Sequence, residues 1–217
     1  MRLRRAVAAA APSGAGRVLA ALTSLVAAAR PAAKPLHPRG ELVRGAITRS
    51  GDGPHSGVDW VDTPGHDAVV ARSSRAVGLP APLPDILGMA VRVRLGPDRT
   101  ADLLFATTGL GRLTRYLLAP ARDLTTSPAT TLLPYRSPTG PLSFAITPAG
   151  PRRFRLMWAR PDSGWHPFGW LVLEPGPGTD PGVSFDPTAS TLPGLSHYAW
   201  VVRLRAPAYA AARRSRR

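Results

Sequence analysis

A mainly β fold, about eight short antiparallel strands closed into a barrel with helices at its periphery, is predicted from three observations. The chain holds 25 prolines and 21 glycines among 217 residues, most of them beyond residue 34, and they cut it into short pieces. Eight of those pieces are strand-length, apolar or alternating, and bounded by Gly, Pro, Asp or Ser. Sequence with clear helix propensity is confined to the two ends, so helices are expected around a β body and not within it.

Taken in order, residues 1–33 are Ala-rich and read as a helical arm, with 15–30 its most helix-prone stretch. Its longest uncharged apolar run, VLAALTSLVAAA (18–29), is shorter than the roughly 20 residues a bilayer span needs. MRLRR followed by AVAAAA resembles the start of a signal peptide, but Pro12, Gly14, Gly16 and Arg17 break the apolar region early. The arm is therefore expected to pack on the domain, with no integral membrane span and a cytoplasmic location. Residues 34–217 form one barrel domain with a terminal helix. Its strands are ELVRGAITR (41–49), HDAVVARSS (66–74), GMAVRVRLG (88–96), ADLLFATT (101–108), LSFAITP (142–148), RRFRLMWAR (152–160), FGWLVLEP (168–175) and HYAWVVRLR (197–205). Residues 109–124 add a helical turn or two, and the tail 206–216, with its AYAAARR run, is the second helix.

Composition narrows the chemistry. Cysteine is absent, which excludes disulfides, thiolate metal sites, iron–sulfur clusters and a cysteine nucleophile. The net charge of +15 points at first to a polyanionic partner. Its placement does not. Residues 1–49 hold nine basic residues and one acid, Glu41; residues 203–217 hold six basic residues and no acid. The stretch between carries 13 basic against 12 acidic residues, so the body is nearly neutral. Lys34 is the single lysine, and an Arg-, Ala-, Pro- and Gly-rich chain partly reflects codon bias. A nucleic-acid partner is accordingly not expected.

Most short motifs fail on context. GPGTDPG (176–182) is interrupted by proline and precedes no helix, so it reads as a loop and not a phosphate cradle. No Walker A, H-E-x-x-H or G-x-S-x-G pattern occurs. His66-Asp67, with His37 or His55, has the composition of a phosphohydrolase metal site, but those ligands belong on facing helices and this region is strand-like. A solvated turn is the simpler expectation. With only Glu41 and Glu174 as glutamates, a paired-carboxylate glycosidase has poor support.

Three separated segments form an ordered set. The first is Lys34-Pro-Leu-His37-Pro-Arg-Gly40-Glu-Leu-Val-Arg-Gly45-Ala-Ile-Thr48. The second is Ala71-Arg72-Ser73-Ser74-Arg75-Ala-Val-Gly78, continuing through Pro84-Asp85-Ile-Leu-Gly88-Met-Ala90-Val-Arg-Val. The third is Leu192-Pro193-Gly194-Leu195, then Arg205-Ala-Pro-Ala-Tyr209 and Arg214-Ser-Arg216, with FDP (185–187) ahead of it. In order and approximate separation, from Lys34 to the end of the chain, this set resembles the haem catalases. There a basic residue stands three before the distal histidine, an R-F-S-T-V-x-G … D-x-R-G-x-A block follows, and P-G-I … R-x-x-x-Y-x-D-T-x-R-x-R carries the proximal tyrosine.

The resemblance implies a catalase-like barrel that binds haem b through Tyr209 and acts on hydrogen peroxide or organic hydroperoxides. It implies Lys34, Arg72 and Arg216 facing the haem propionates, with Arg205 and Arg214 also on the cofactor side. It gives His37 the proton-transfer role and Ser74 the orientation of the imidazole. The residues themselves are compatible with these roles. A phenolate ligand requires a depressed pKa, and Arg205, four residues before Tyr209, lies on the same face of a helix. The simpler readings stay open at this point: His37 capping a strand, Tyr209 an amphipathic contact, the terminal arginines a solvated tail.

The chain also departs from the family. The D-L-V-x-N-N-T segment aligns with Asp102-Leu-Leu-Phe-Ala-Thr107-Thr108, so Thr107 stands in for the distal asparagine and turnover is expected to be slow. The proximal Asp-Thr is replaced by alanines. The family's wrapping segment and C-terminal helices find no match, so a monomer or small homo-oligomer is expected. Activity is thus slow catalase, peroxidase or hydroperoxide rearrangement. Other classes remain: a haem-free barrel holding an apolar ligand, a basic nucleic-acid-associated protein, and a metal phosphohydrolase at His66-Asp67.

Overall fold

The computed structural model describes residues 40–80, 82–175, 185–186 and 190–203. The arm 1–33 and its boundary, the loop 176–182, the tail helix 206–216, and Lys34, His37, Arg205, Tyr209, Arg214 and Arg216 lie outside the described residues.

Nine strands form the sheet. They are β1 (Gly40–Arg49), β2 (Gly65–Arg75), β3 (Leu87–Arg94), β4 (Thr100–Thr107), β5 (Ala129–Thr130), β6 (Tyr135–Ser137), β7 (Gly140–Pro148), β8 (Arg153–Ala159) and β9 (His166–Leu173). Every pairing is antiparallel, in the order β5-β4-β3-β2-β1-β9-β8-β7-β6. A further pairing of β5 with β7 joins the ends, so eight strands close into a barrel and β6 stands beside it on β7.

Period-two patterning sets which face each side chain takes. In β3, Leu87, Met89, Val91 and Val93 are buried, while Gly88, Ala90 and Arg92 between them are partly exposed. Their partners Ala71, Val69, Phe105, Leu103 and Ala101 face the same interior, joined by Ile47, Phe144, Ile146, Leu156 and Leu171. Each such large side chain contributes roughly 1.5–3 kcal/mol over its exposed state. Where β1 meets β9 the backbones come too close for any side chain on Gly45, whose Cβ would collide with the Val172 carbonyl.

Two carboxylates, Asp62 partly buried and Asp85 buried, hold the connections. Between β1 and β2 lies a one-turn helix, α1 (Asp59–Asp62), and Asp62 accepts hydrogen bonds from the Ser56 amide and hydroxyl and the Gly57 amide, all at 2.8–2.9 Å. Asp85, 2 % exposed, does the same for the β2–β3 loop, accepting the amides of Val77, Gly78 and Leu79 at 2.9–3.1 Å. Burial pushes both carboxyls up, but the hydrogen bonds outweigh it and hold both below the ordinary value of 3.8. A depressed folded-state pKa contributes stability above the unfolded carboxylate's value, lost as pH falls through the lower folded value. Thermal midpoints are therefore expected to be level from pH 7 to 5 and to drop between pH 4 and 2, with a shallower drop in Asp85→Asn. A midpoint independent of pH over that acidic range would contradict this role.

Seven predicted strands are observed within one or two residues of their expected bounds. The eighth is corrected. Residues 199–203 of HYAWVVRLR are helical, with the Val201 and Val202 amides on the Tyr198 carbonyl at 2.9 and 3.2 Å. Val201 is fully buried and Val202 is exposed, an arrangement that follows the helix and not the aromatic and β-branched composition. The reason lies in the barrel, where β5 already bridges β4 and β7 and leaves no open edge. The preceding residue Ser196 instead exchanges two main-chain hydrogen bonds with Arg136 of β6. In the 109–124 stretch the helical content is one 3₁₀ turn, Thr114–Tyr116.

Candidate functional site

Two rows of residues run across the outer face of β1–β4. One is Gly40, Ser74, Gly88 and Ala106; the next is Leu42, Arg72, Ala90 and Leu104. Arg72 and Ser74, two apart on one strand, therefore share a face. Beside them Gly88, Ala90 and Ala106 carry one side-chain carbon or none, so the sheet surface there is low and apolar. Ser74 lies directly across from Gly40, the first residue of β1.

A third row ends the floor with a half-buried ion pair. Arg92 donates two hydrogen bonds of 2.7 Å to Asp102, whose carboxylate is fully buried although it lies on the outer side. The carboxylate keeps Arg92 firmly charged, raising its pKa against the opposing effect of burial. Asp102 also accepts the Asp186 amide at 2.7 Å, and its own amide donates to the Ser190 carbonyl at 2.9 Å. The Arg92 guanidinium lies 5.1 Å from the Phe185 ring centroid. The start of FDP thus docks on β4. After it Leu192 and Leu195 are buried, and Gly194, at φ +78°, makes the turn toward the 199–203 helix.

Thr107 is placed elsewhere. It is 1 % exposed and belongs to the opposite parity from Ala106, on the interior side. Its hydroxyl accepts the Leu87 amide at 3.1 Å and donates to the Ala119 carbonyl at 2.7 Å. The strand brings Ala106, not Thr107, into the row of Ser74, and Ala106 offers no hydrogen-bonding side chain. Of the sequence-predicted residues, the described part of the chain brings Arg72 and Ser74 together.

His66 and Asp67, adjacent on β2, point to opposite faces and cannot share a metal ion. Asp67 is occupied on its own side by Arg49 at 3.0 Å and by the Trp60 indole N–H at 3.2 Å. His66 lies 3.2 Å from the Thr48 hydroxyl, and among the described residues no three His, Asp or Glu side chains converge.

Two features on no motif emerge from the fold. Arg115, 2 % exposed, donates to the carbonyls of Gly111, Arg160 and Ser163 at 3.0–3.2 Å and lies 4.6 Å from the Trp165 ring. Burial lowers its pKa, and it fastens the loop after β4 to the β8–β9 turn. The other is a cavity of about 570 Å³ at one end of the barrel interior. Its walls come from five strands and the loops beside them, residues far apart in the chain.

The fold is catalase-like. A fungal catalase superposes with a TM-score of 0.57 at 11% identity, covering 98% of this chain and 65% of that one. A bacterial catalase superposes with a TM-score of 0.60 at 11% identity, covering 100% of this chain and 63% of that one. The chain thus spans slightly under two thirds of the length of the catalases it matches. No protein-family model matches the sequence. No curated protein matches it either. Among the described residues no helix is long and apolar enough to cross a membrane.

Proposed function

We propose that this chain binds haem b on the outer face of β1–β4 and processes hydrogen peroxide or organic hydroperoxides slowly. The observation that carries the reading is the placement of Arg72 and Ser74 side by side over the Gly88/Ala90/Ala106 floor. A planar macrocycle with two carboxylates needs a flat apolar surface and nearby cations, and this face offers the surface and one of the cations. Lys34 and Arg216 would supply further cations for the propionates, Tyr209 would hold the iron through its phenolate, and Arg205 and Arg214 would favour the ionised form of that phenolate. When bound, the haem supplies an iron centre for peroxide chemistry.

The remaining work falls to the chain. His37 stands three residues before Gly40, the partner of Ser74, and three residues of chain reach at most about 11 Å. That range allows the Ser74 hydroxyl to orient the imidazole, directly or through a water. His37 accepts the hydroperoxide proton at a ring nitrogen and returns it to the departing oxygen. With Ala106 at the neighbouring position, no side-chain amide helps to hold the peroxide, which is why turnover is slow.

Reconstitution with haemin is expected to give a Soret band that Tyr209→Phe shifts or abolishes while the fold survives by circular dichroism. Absence of a Soret band from the folded wild-type protein would end the reading, because every role above depends on the cofactor.

A further inference from the structure

We infer that the cavity at the end of the barrel is a second binding site, for an aliphatic monocarboxylate lying inside the barrel with its head group at the rim. The cavity, about 570 Å³, falls within the range of small-molecule pockets. Its deeper walls are Val43, Ala71, Leu87, Met89, Phe154 and Leu173, contributed by β1, β2, β3, β8 and β9, all apolar and on the inner parity of their strands. Ser73, on the same parity one step from Arg75, and Ser74 add hydroxyls toward the mouth, whereas the deeper walls carry no hydrogen-bonding side chain, so the part of a ligand held there is aliphatic.

The rim is different. Three arginines, Arg75, Arg122 and Arg152, stand there against two acids, Asp123 and Glu174. Arg75 is engaged with the carbonyls of Leu79 and Leu83 and lies 3.7 Å from Asp85. Arg152 donates to the Glu174 main-chain carbonyl at 2.7 Å. Asp123 accepts the Thr125 amide at 2.8 Å. Arg122 is exposed and, among the described residues, has neither a hydrogen bond nor an ion pair. It follows Ala121, which pairs with Asp85 beside β3, whereas Glu174 follows β9; β2 and β1 lie between them in the barrel. A guanidinium in this state, at the mouth of an apolar cavity, is matched by a carboxylate on an aliphatic chain.

The inference does not rest on the haem reading: the deeper walls are on the inner side of the sheet whose outer face carries Arg72, and Ser74 alone is shared, at the mouth of the cavity. Binding of dodecanoate and dodecanol to the full-length protein, measured by isothermal titration calorimetry, tests it. Dodecanoate is expected to bind one to one and at least tenfold more tightly than dodecanol. Arg122→Glu should weaken dodecanoate about tenfold and leave dodecanol unchanged. Ala71→Leu, which fills the cavity, should remove both; if that variant does not fold, the exposed Arg122→Glu carries the test. Tyr209→Phe should leave dodecanoate binding unchanged. No binding to the folded wild type, equal affinity for acid and alcohol, or loss of binding with Tyr209→Phe would each overturn the inference, the last by placing the ligand at the haem.

Discussion

Replacing Asp102 with alanine is expected to destabilise the barrel by about 3–5 kcal/mol, a large share of the 5–15 kcal/mol typical of a whole domain. The carboxylate is fully buried and holds Arg92 through two 2.7 Å hydrogen bonds and the Asp186 amide through a third. Truncation removes this carboxylate from Arg92 and from the Asp186 amide, while the main-chain bond of residue 102 to the Ser190 carbonyl remains. Pairing Asp102→Leu with Arg92→Met should cost less than Asp102→Ala alone, since both charges of the pair are then removed together. Urea unfolding followed by circular dichroism reads both, and an Asp102→Ala midpoint equal to wild type would refute the anchoring role.

His37→Ala is expected to lower hydroperoxide turnover by about 10²–10⁴-fold, the usual contribution of a positioned acid–base group, while the Soret band of the reconstituted protein persists. Ser74→Ala, acting through the imidazole, should cost less and should shift the pH profile. Stopped-flow measurement with hydrogen peroxide and with an alkyl hydroperoxide separates the two. Undiminished turnover in His37→Ala would remove that residue from proton transfer and leave the haem reading to the spectrum.

The strands were legible where alternation is strong and bounded. GMAVRVRLG (88–96) sets its large apolar residues at every second position between two glycines, and Leu87–Arg94 folds as a strand. The 197–205 segment has the same aromatic and β-branched character, yet tertiary closure made part of it helical, because residue preference for strands reflects available neighbours more than backbone bias. β5 could not be read at all: two residues, Ala129 and Thr130, have no period. The site shows the same limit. Arg72 and Ser74 share a face by spacing alone, but placing Ala106 rather than Thr107 beside them required the register across β2, β3 and β4. A slip of one residue exchanges inside for outside. The cavity, lined by residues far apart in the chain, had no local signature.

The shortest strand has the largest consequence for how the barrel breathes. Closure between β4 and β7 depends on Ala129 and Thr130, with the Thr108 hydroxyl donating to that of Thr130 at 3.0 Å and the Thr130 hydroxyl donating to the Arg115 carbonyl at 2.7 Å. Elsewhere neighbouring barrel strands share ladders of five to ten residue pairs. Local opening therefore starts at this seam. In native-state hydrogen exchange the β5 amides and their partners on β4 and β7 should lose protection at a lower free energy than the β1–β2 ladder, making the barrel a curled sheet with a latch.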